Sequence, residues 1–113
     1  MKPMLVMLML GASAAGQDRK PDRVISVSAE RFAFSPSRIE LKRGELVEFI
    51  LTSDDTDHGF HIQGTTINVA IPPQGKGEAR VRFTVNEKGQ FTFECWRPCG
   101  AGHNLMRGTI VVK

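Results

Sequence analysis

Cys95, Cys99, His103 and Met106 fall within one stretch of twelve residues, Cys-Trp-Arg-Pro-Cys-Gly-Ala-Gly-His-Asn-Leu-Met, spaced C-x3-C-x3-H-x2-M, and they include both cysteines of the chain. Two thiolates, an imidazole and a thioether are soft or borderline donors. They suit copper far better than magnesium or calcium, and a weak axial thioether recurs in copper sites that carry electrons. Three other readings stay open on these residues alone. The positions also follow helical spacing, which would make cysteine and methionine ordinary core. Pro98, Gly100 and Gly102 argue instead for a loop, because proline removes a backbone donor and each glycine costs about 1 kcal/mol against alanine within a helix. Two cysteines in an exported chain can pair as a disulfide. Zinc accepts two thiolates and two imidazoles, which would leave Met106 without a role.

Two further histidines stand in Asp54-Asp-Thr-Asp-His-Gly-Phe-His61. Three positions apart on a strand, His58 and His61 point to opposite faces, so both cannot easily reach one site. His58 serves as a fifth ligand if its corner of the fold lies beside the cysteine loop. His61 is then expected to be a surface or satisfied core residue.

These side chains must be held by short strands. Apolar or alternating runs at Val24 to Ala29, Ile39 to Leu41, Leu46 to Thr52, Phe60 to Ile62, Ile67 to Ile71, Ala79 to Val85, Gln90 to Cys95 and Thr109 to Val112 are cut by turn residues such as Ser35-Pro36, Arg43-Gly44, Pro72-Pro73 and Lys88-Gly89. With no convincing amphipathic helix, the pattern predicts an all-β, antiparallel sandwich with Greek-key connections. In Phe91-Thr-Phe-Glu-Cys95 the odd positions share a face, so core-facing Phe91 and Phe93 would send Cys95 inward at the strand end. The Cys-His-Met segment then joins the last two strands as a loop at one end of the sandwich, where loops on a rigid scaffold carry function.

The chain has 113 residues, enough for one domain with one modest core. Residues 1–15 combine a basic start, a short apolar run and the small-residue pattern Ala12-Ser13-Ala14, which reads as a signal peptide for export to the periplasm or another extracytoplasmic space. A short membrane anchor is the alternative, although the apolar stretch is below the roughly 20 residues that span a bilayer. Residues 16–23 read as a polar linker and 24–113 as the domain. The formal charge of +3 is spread over scattered lysines and arginines without an aromatic-basic stripe, which argues against nucleic acid.

With Phe32-Ala-Phe-Ser-Pro36, Leu51-Thr-Ser53, His58-Gly-Phe-His-Ile62, Thr66-Ile-Asn-Val69, the Cys95 to Met106 motif and the ending Gly108-Thr-Ile-Val-Val-Lys113, the chain resembles the CuA domain of subunit II of haem-copper terminal oxidases, of the b-family type, from about Arg31 to Lys113. The resemblance implies a cupredoxin fold and a binuclear CuA centre of two copper ions bridged by Cys95 and Cys99. It assigns one imidazole to each copper, from His58 and His103, with Met106 weakly bound to one metal and the backbone carbonyl of Arg97 to the other. It also implies an electron carrier without catalytic residues of its own, taking electrons from a c-type cytochrome or similar donor and passing them to a terminal oxidase or other reductase. A copper storage or delivery protein and a mononuclear cupredoxin are the alternatives. Subunit II ordinarily carries transmembrane helices, for which only the short N-terminal segment stands here, so membrane association is left open. The carbonyl-bearing position, often acidic or amide-bearing in these domains, is Arg97, and Trp96 is individual to this chain, either packing over the site or forming a surface for electron entry.

Overall fold

The structure, a computed structural model, describes residues 19–98 and 100–113. Residues 1–15, read as a signal segment, lie outside the described residues, as does Cys99. No helix among the described residues is long and apolar enough to cross a membrane.

Period-two alternation organises the described residues into nine strands. They are β1 (Arg23–Glu30), β2 (Ala33–Ser35), β3 (Arg38–Leu41), β4 (Val47–Ser53), β5 (His58–Ile62), β6 (Asn68–Ile71), β7 (Ala79–Phe83), β8 (Gly89–Glu94) and β9 (Arg107–Val112). In β4 the buried residues Val47, Phe49, Leu51 and Ser53 alternate with partly exposed ones, which is what a strand buried on one face requires. One sheet has the order β2-β1-β4-β7 and the other β3-β9-β8-β5-β6. The chain crosses between them repeatedly, as a Greek-key sandwich must.

The two sheets meet through phenylalanines. Phe49 of the first sheet and Phe60 of the second lie 5.8 Å apart between ring centroids, and Phe34 reaches Phe60 at 6.0 Å and Phe93 at 5.1 Å in edge-on contacts. Phe60 and Phe93 are themselves 5.3 Å apart. Such tilted and edge-on pairs add to the burial of apolar surface, because the positive ring edge meets a negative face.

Three features depart from the sequence expectation. The sheets are mixed rather than antiparallel: β1 pairs with β4 and β3 with β9 in parallel. A chain that changes sheet between β2 and β3, and again before β4, brings strands together by crossover rather than by hairpin, and a crossover permits the parallel sense. The short strand β2, where no strand was expected, pairs antiparallel with β1, Ala29 facing Phe34. Finally, β5 opens at His58, two residues before the first strongly apolar position.

The entry to β1 is tied to β4 by a reciprocal pair: the Asp22 N–H donates to the Leu46 carbonyl at 2.8 Å, and the Asp22 carboxylate accepts the Leu46 N–H at 2.8 Å. That backbone donor, with Arg19 adding to it, lowers the Asp22 pKa despite the opposing effect of burial. A carboxyl group whose pKa is lower folded than unfolded contributes stability above the unfolded value and loses it as pH falls through the folded one. Asp22→Ala is therefore expected to lower stability at neutral pH and to flatten its decline below the ordinary aspartate range. Urea denaturation across a pH series measures both.

Candidate metal centre

The segment 95–106 connects β8 to β9 at one end of the sandwich, as the strand pattern predicts, and the chain turns through a short 3-10 segment at His103–Leu105 before entering β9. The loop is closed by backbone hydrogen bonds from Cys95 N–H to the Met106 carbonyl and from Met106 N–H to the His103 carbonyl, both 3.1 Å. Phe32, in the turn between β1 and β2, lies against its glycines: a Cβ on Gly102 would stand 2.5 Å from the ring, and one on Gly100 2.8 Å. Only residues without side chains let that ring come so close.

Strand β5 runs beside β8 with His61 facing Glu94 and Ile62 facing Phe93. That register carries the start of β5 to the cysteine end. His58 is fully buried and its Nδ1 lies 4.0 Å from Cys95 Sγ, although the two residues are 37 apart in sequence. The thiol is in turn placed by two backbone groups, accepting the Gly59 N–H at 3.4 Å and donating to the Arg97 carbonyl at 3.2 Å. Met106 is fully buried, and Cys95, His103 and Met106 together line a cavity of about 190 Å³, with Glu94 and Arg107 at its sides. His61 lies on the other face of β5, with Nδ1 3.3 Å from the Glu94 carboxylate.

The tautomer of His58 is set by Asp55, a residue the sequence reading passed over. Asp55 Oδ1 lies 2.8 Å from His58 Nε2, and the same carboxylate accepts the Thr56 N–H at 2.7 Å and the Arg31 N–H at 2.9 Å. Burial alone would raise the Asp55 pKa, but the Arg31 N–H, the His58 imidazole and the Thr56 N–H together hold it below the ordinary range. An ionised carboxylate can only accept, so the proton of neutral His58 sits on Nε2 and the Nδ1 lone pair faces Cys95. A carboxylate behind an imidazole is the usual means of orienting a metal-binding histidine. An acid three residues before a histidine was the one local sign of it.

Among the described residues, no three His, Cys, Asp or Glu side chains form a metal cluster by themselves. What converges is a mixed set: one thiol, one lone pair of His58 and the Arg97 carbonyl, with His103 and Met106 on the cavity wall. Sulfur with imidazole in a buried pocket fits a soft or borderline ion and is poorly suited to the oxygen-seeking cations. The residues present therefore fit copper.

Comparisons with known proteins agree with this fold. Residues 3–112 match the cupredoxin-like domain family. Cytochrome c oxidase subunit 2 of Thermus thermophilus is 41% identical over 103 residues, covering 90% of this chain and 74% of that protein. Nitrous-oxide reductase of Cupriavidus necator is 32% identical over 93 residues, covering 79% of this chain but 14% of that much longer enzyme. Among solved structures, a chain of a heme-copper terminal oxidase dimer superposes with a TM-score of 0.73 at 25% identity, covering 97% of this chain and 91% of that one. The chain belongs to the cupredoxin-like domain family and, within it, to the subunit II group of cytochrome c oxidases.

Proposed function

We propose that this protein is a copper electron-transfer domain holding a binuclear CuA centre, with Cys95 and Cys99 bridging two coppers, His58 and His103 each bound to one of them, and Met106 and the Arg97 carbonyl as weak outer ligands. The observation that carries the reading is the juxtaposition of Cys95 Sγ with His58 Nδ1 and the Arg97 carbonyl at the end of the sandwich. When bound, such a pair shares one unpaired electron across two metals and two sulfurs, so that little rearranges on transfer. The protein residues serve the same end. Asp55 holds the His58 ring, the Gly59 N–H holds the Cys95 sulfur, and Met106 is held fully buried on the inner side of the site. Rigidly held ligands keep one geometry in both redox states.

The kinship with subunit 2 of cytochrome c oxidase supports a c-type cytochrome or similar donor and a terminal oxidase as acceptor, and the kinship with nitrous-oxide reductase supports a broader class of acceptor reductases. The N-terminal segment supports a location outside the cytoplasm. The domain relays electrons and leaves bond chemistry to its partners.

Copper analysis with electron paramagnetic resonance tests the reading: two coppers per chain and hyperfine splitting from two equivalent nuclei are expected. One copper per chain with single-nucleus splitting would replace it by a mononuclear site. The histidines separate in the same assay. His58→Ala is expected to abolish or transform the mixed-valence signal, whereas His61→Ala, whose ring faces Glu94 across β5, leaves it nearly intact.

A further inference from the structure

The two residues that follow Cys95 are tied to the residues that flank His58. Extending the β5–β8 register beyond His61 and Glu94 sets Phe60 opposite Cys95, then Gly59 opposite Trp96 and His58 opposite Arg97. The side chains make contact along that line. Trp96 lies flat on Gly59, where a Cβ would stand 2.5 Å from Nε1 and 2.6 Å from Cδ1. Its Nε1–H donates to the Val69 carbonyl of β6 at 3.0 Å. The Arg97 guanidinium sits 5.5 Å from the indole centroid and pairs with Asp57 at 2.7 Å. By side-chain contact, Asp57 thus meets Arg97, His58 meets Cys95 and Gly59 meets Trp96.

We propose that Trp96 and Arg97 are positioning residues that clasp the ligand loop onto β5 and hold Cys95 at His58 before any metal arrives. Global stability does not explain them well. Trp96 is 40% exposed, and the Arg97–Asp57 pair is roughly 40% exposed on both sides, where an ion pair contributes little to folding. Their geometric effect is larger, because they fix the backbone on either side of a contact between groups 37 residues apart. The Gly59 N–H donates to Cys95 Sγ, and the indole packs against the same residue. Displacing the ring therefore frees the sulfur on the side where β5 supports it. The indole also lines the cavity that Cys95, His103 and Met106 border.

The inference rests on the copper reading, and its test keeps the two apart by using the metal-free full chain as well as the loaded one. In the reduced metal-free protein, Trp96→Ala and Gly59→Ala are expected to speed hydrogen exchange at the Gly59 amide relative to Phe60 and Ile62, with the thermal midpoint close to that of the parent. In the copper-loaded protein they are expected to accelerate copper loss to a copper(I) chelator by roughly tenfold to a hundredfold, the range found when groups that orient metal ligands are removed. Trp96→Phe keeps a ring over Gly59 while losing the bond to Val69, and should recover most of the parent's retention. Arg97→Gln, which keeps the backbone carbonyl, should fall between. A parent that binds no copper defeats the functional reading, and the exchange data still decide whether the clasp exists. Unchanged exchange at Gly59 in Trp96→Ala overturns the clasp. Unchanged copper loss in a variant with faster exchange overturns its role toward the ligands, and uniform loss of protection across β5 reduces Trp96 to general packing.

Discussion

Cys95→Ser and Cys99→Ser are each expected to eliminate the proposed binuclear copper centre while leaving the domain folded. In the proposed centre each thiolate would bond both metals, so removing either sulfur would take a bond from each copper at once. Serine is close in size to cysteine, and at position 95 its hydroxyl can still accept the Gly59 N–H and donate to the Arg97 carbonyl, which bind the thiol at 3.4 and 3.2 Å. The fold should therefore survive, and copper content and visible spectrum should collapse together. Met106→Leu is the contrasting case. A volume-conserving change at a fully buried methionine typically costs under about 1.5 kcal/mol, and an axial thioether is long and weak, so copper stays bound and the reduction potential shifts. If the cysteines instead formed a plain disulfide, either serine variant would lose roughly 2 to 4 kcal/mol of stability and the parent would show no copper-dependent colour. Metal analysis, absorption and voltammetry on the parent and three variants separate these outcomes. A colourless parent that resists copper after reduction would defeat the electron-carrier reading.

Phe60→Ala should produce the largest loss of folding stability, about 3 to 5 kcal/mol, the usual cost of deleting a buried phenyl ring. Phe60 has no exposure and touches Phe34, Phe49 and Phe93, so it joins both sheets in one contact set. Domains of this size are stable by only about 5 to 15 kcal/mol, so the variant would lose a large share of that margin. The position has a second consequence. Phe60 shares its face of β5 with His58 and Ile62, so a cavity there loosens the platform beneath the proposed metal ligands. Urea denaturation of the metal-free protein gives the stability change as a shift in midpoint at constant slope. A loss below about 1 kcal/mol would mean that the cavity closes by repacking and that the phenyl cluster does not govern the junction of the sheets.

Much of the candidate site is legible in the sequence, because donor chemistry and short-range spacing are local properties. The types and intervals of Cys95, Cys99, His103 and Met106 point to a soft metal, and Pro98 with Gly100 and Gly102 points to a loop. Period two carried further than spacing. It placed Cys95 inward after Phe93 and set His58 and His61 on opposite faces of one strand, where they lie. Strand positions followed for the same reason, except where an element was too short for alternation to register, as with the three residues of β2.

Only the tertiary structure decided which distant segments meet. The contact of His58 with Cys95 depends on β5 lying beside β8, and the parallel pairing of β1 with β4 and of β3 with β9 depends on where the chain crosses between sheets. Neither is encoded in a window of neighbouring residues. They result from closing long loops around one shared core, where the winning arrangement is the one that buries Phe34, Phe49, Phe60 and Phe93 together. Asp55 behind His58 and Trp96 on Gly59 follow from that arrangement, because an orienting carboxylate or a covering ring is recognisable only once the group it serves has been brought within a few ångströms.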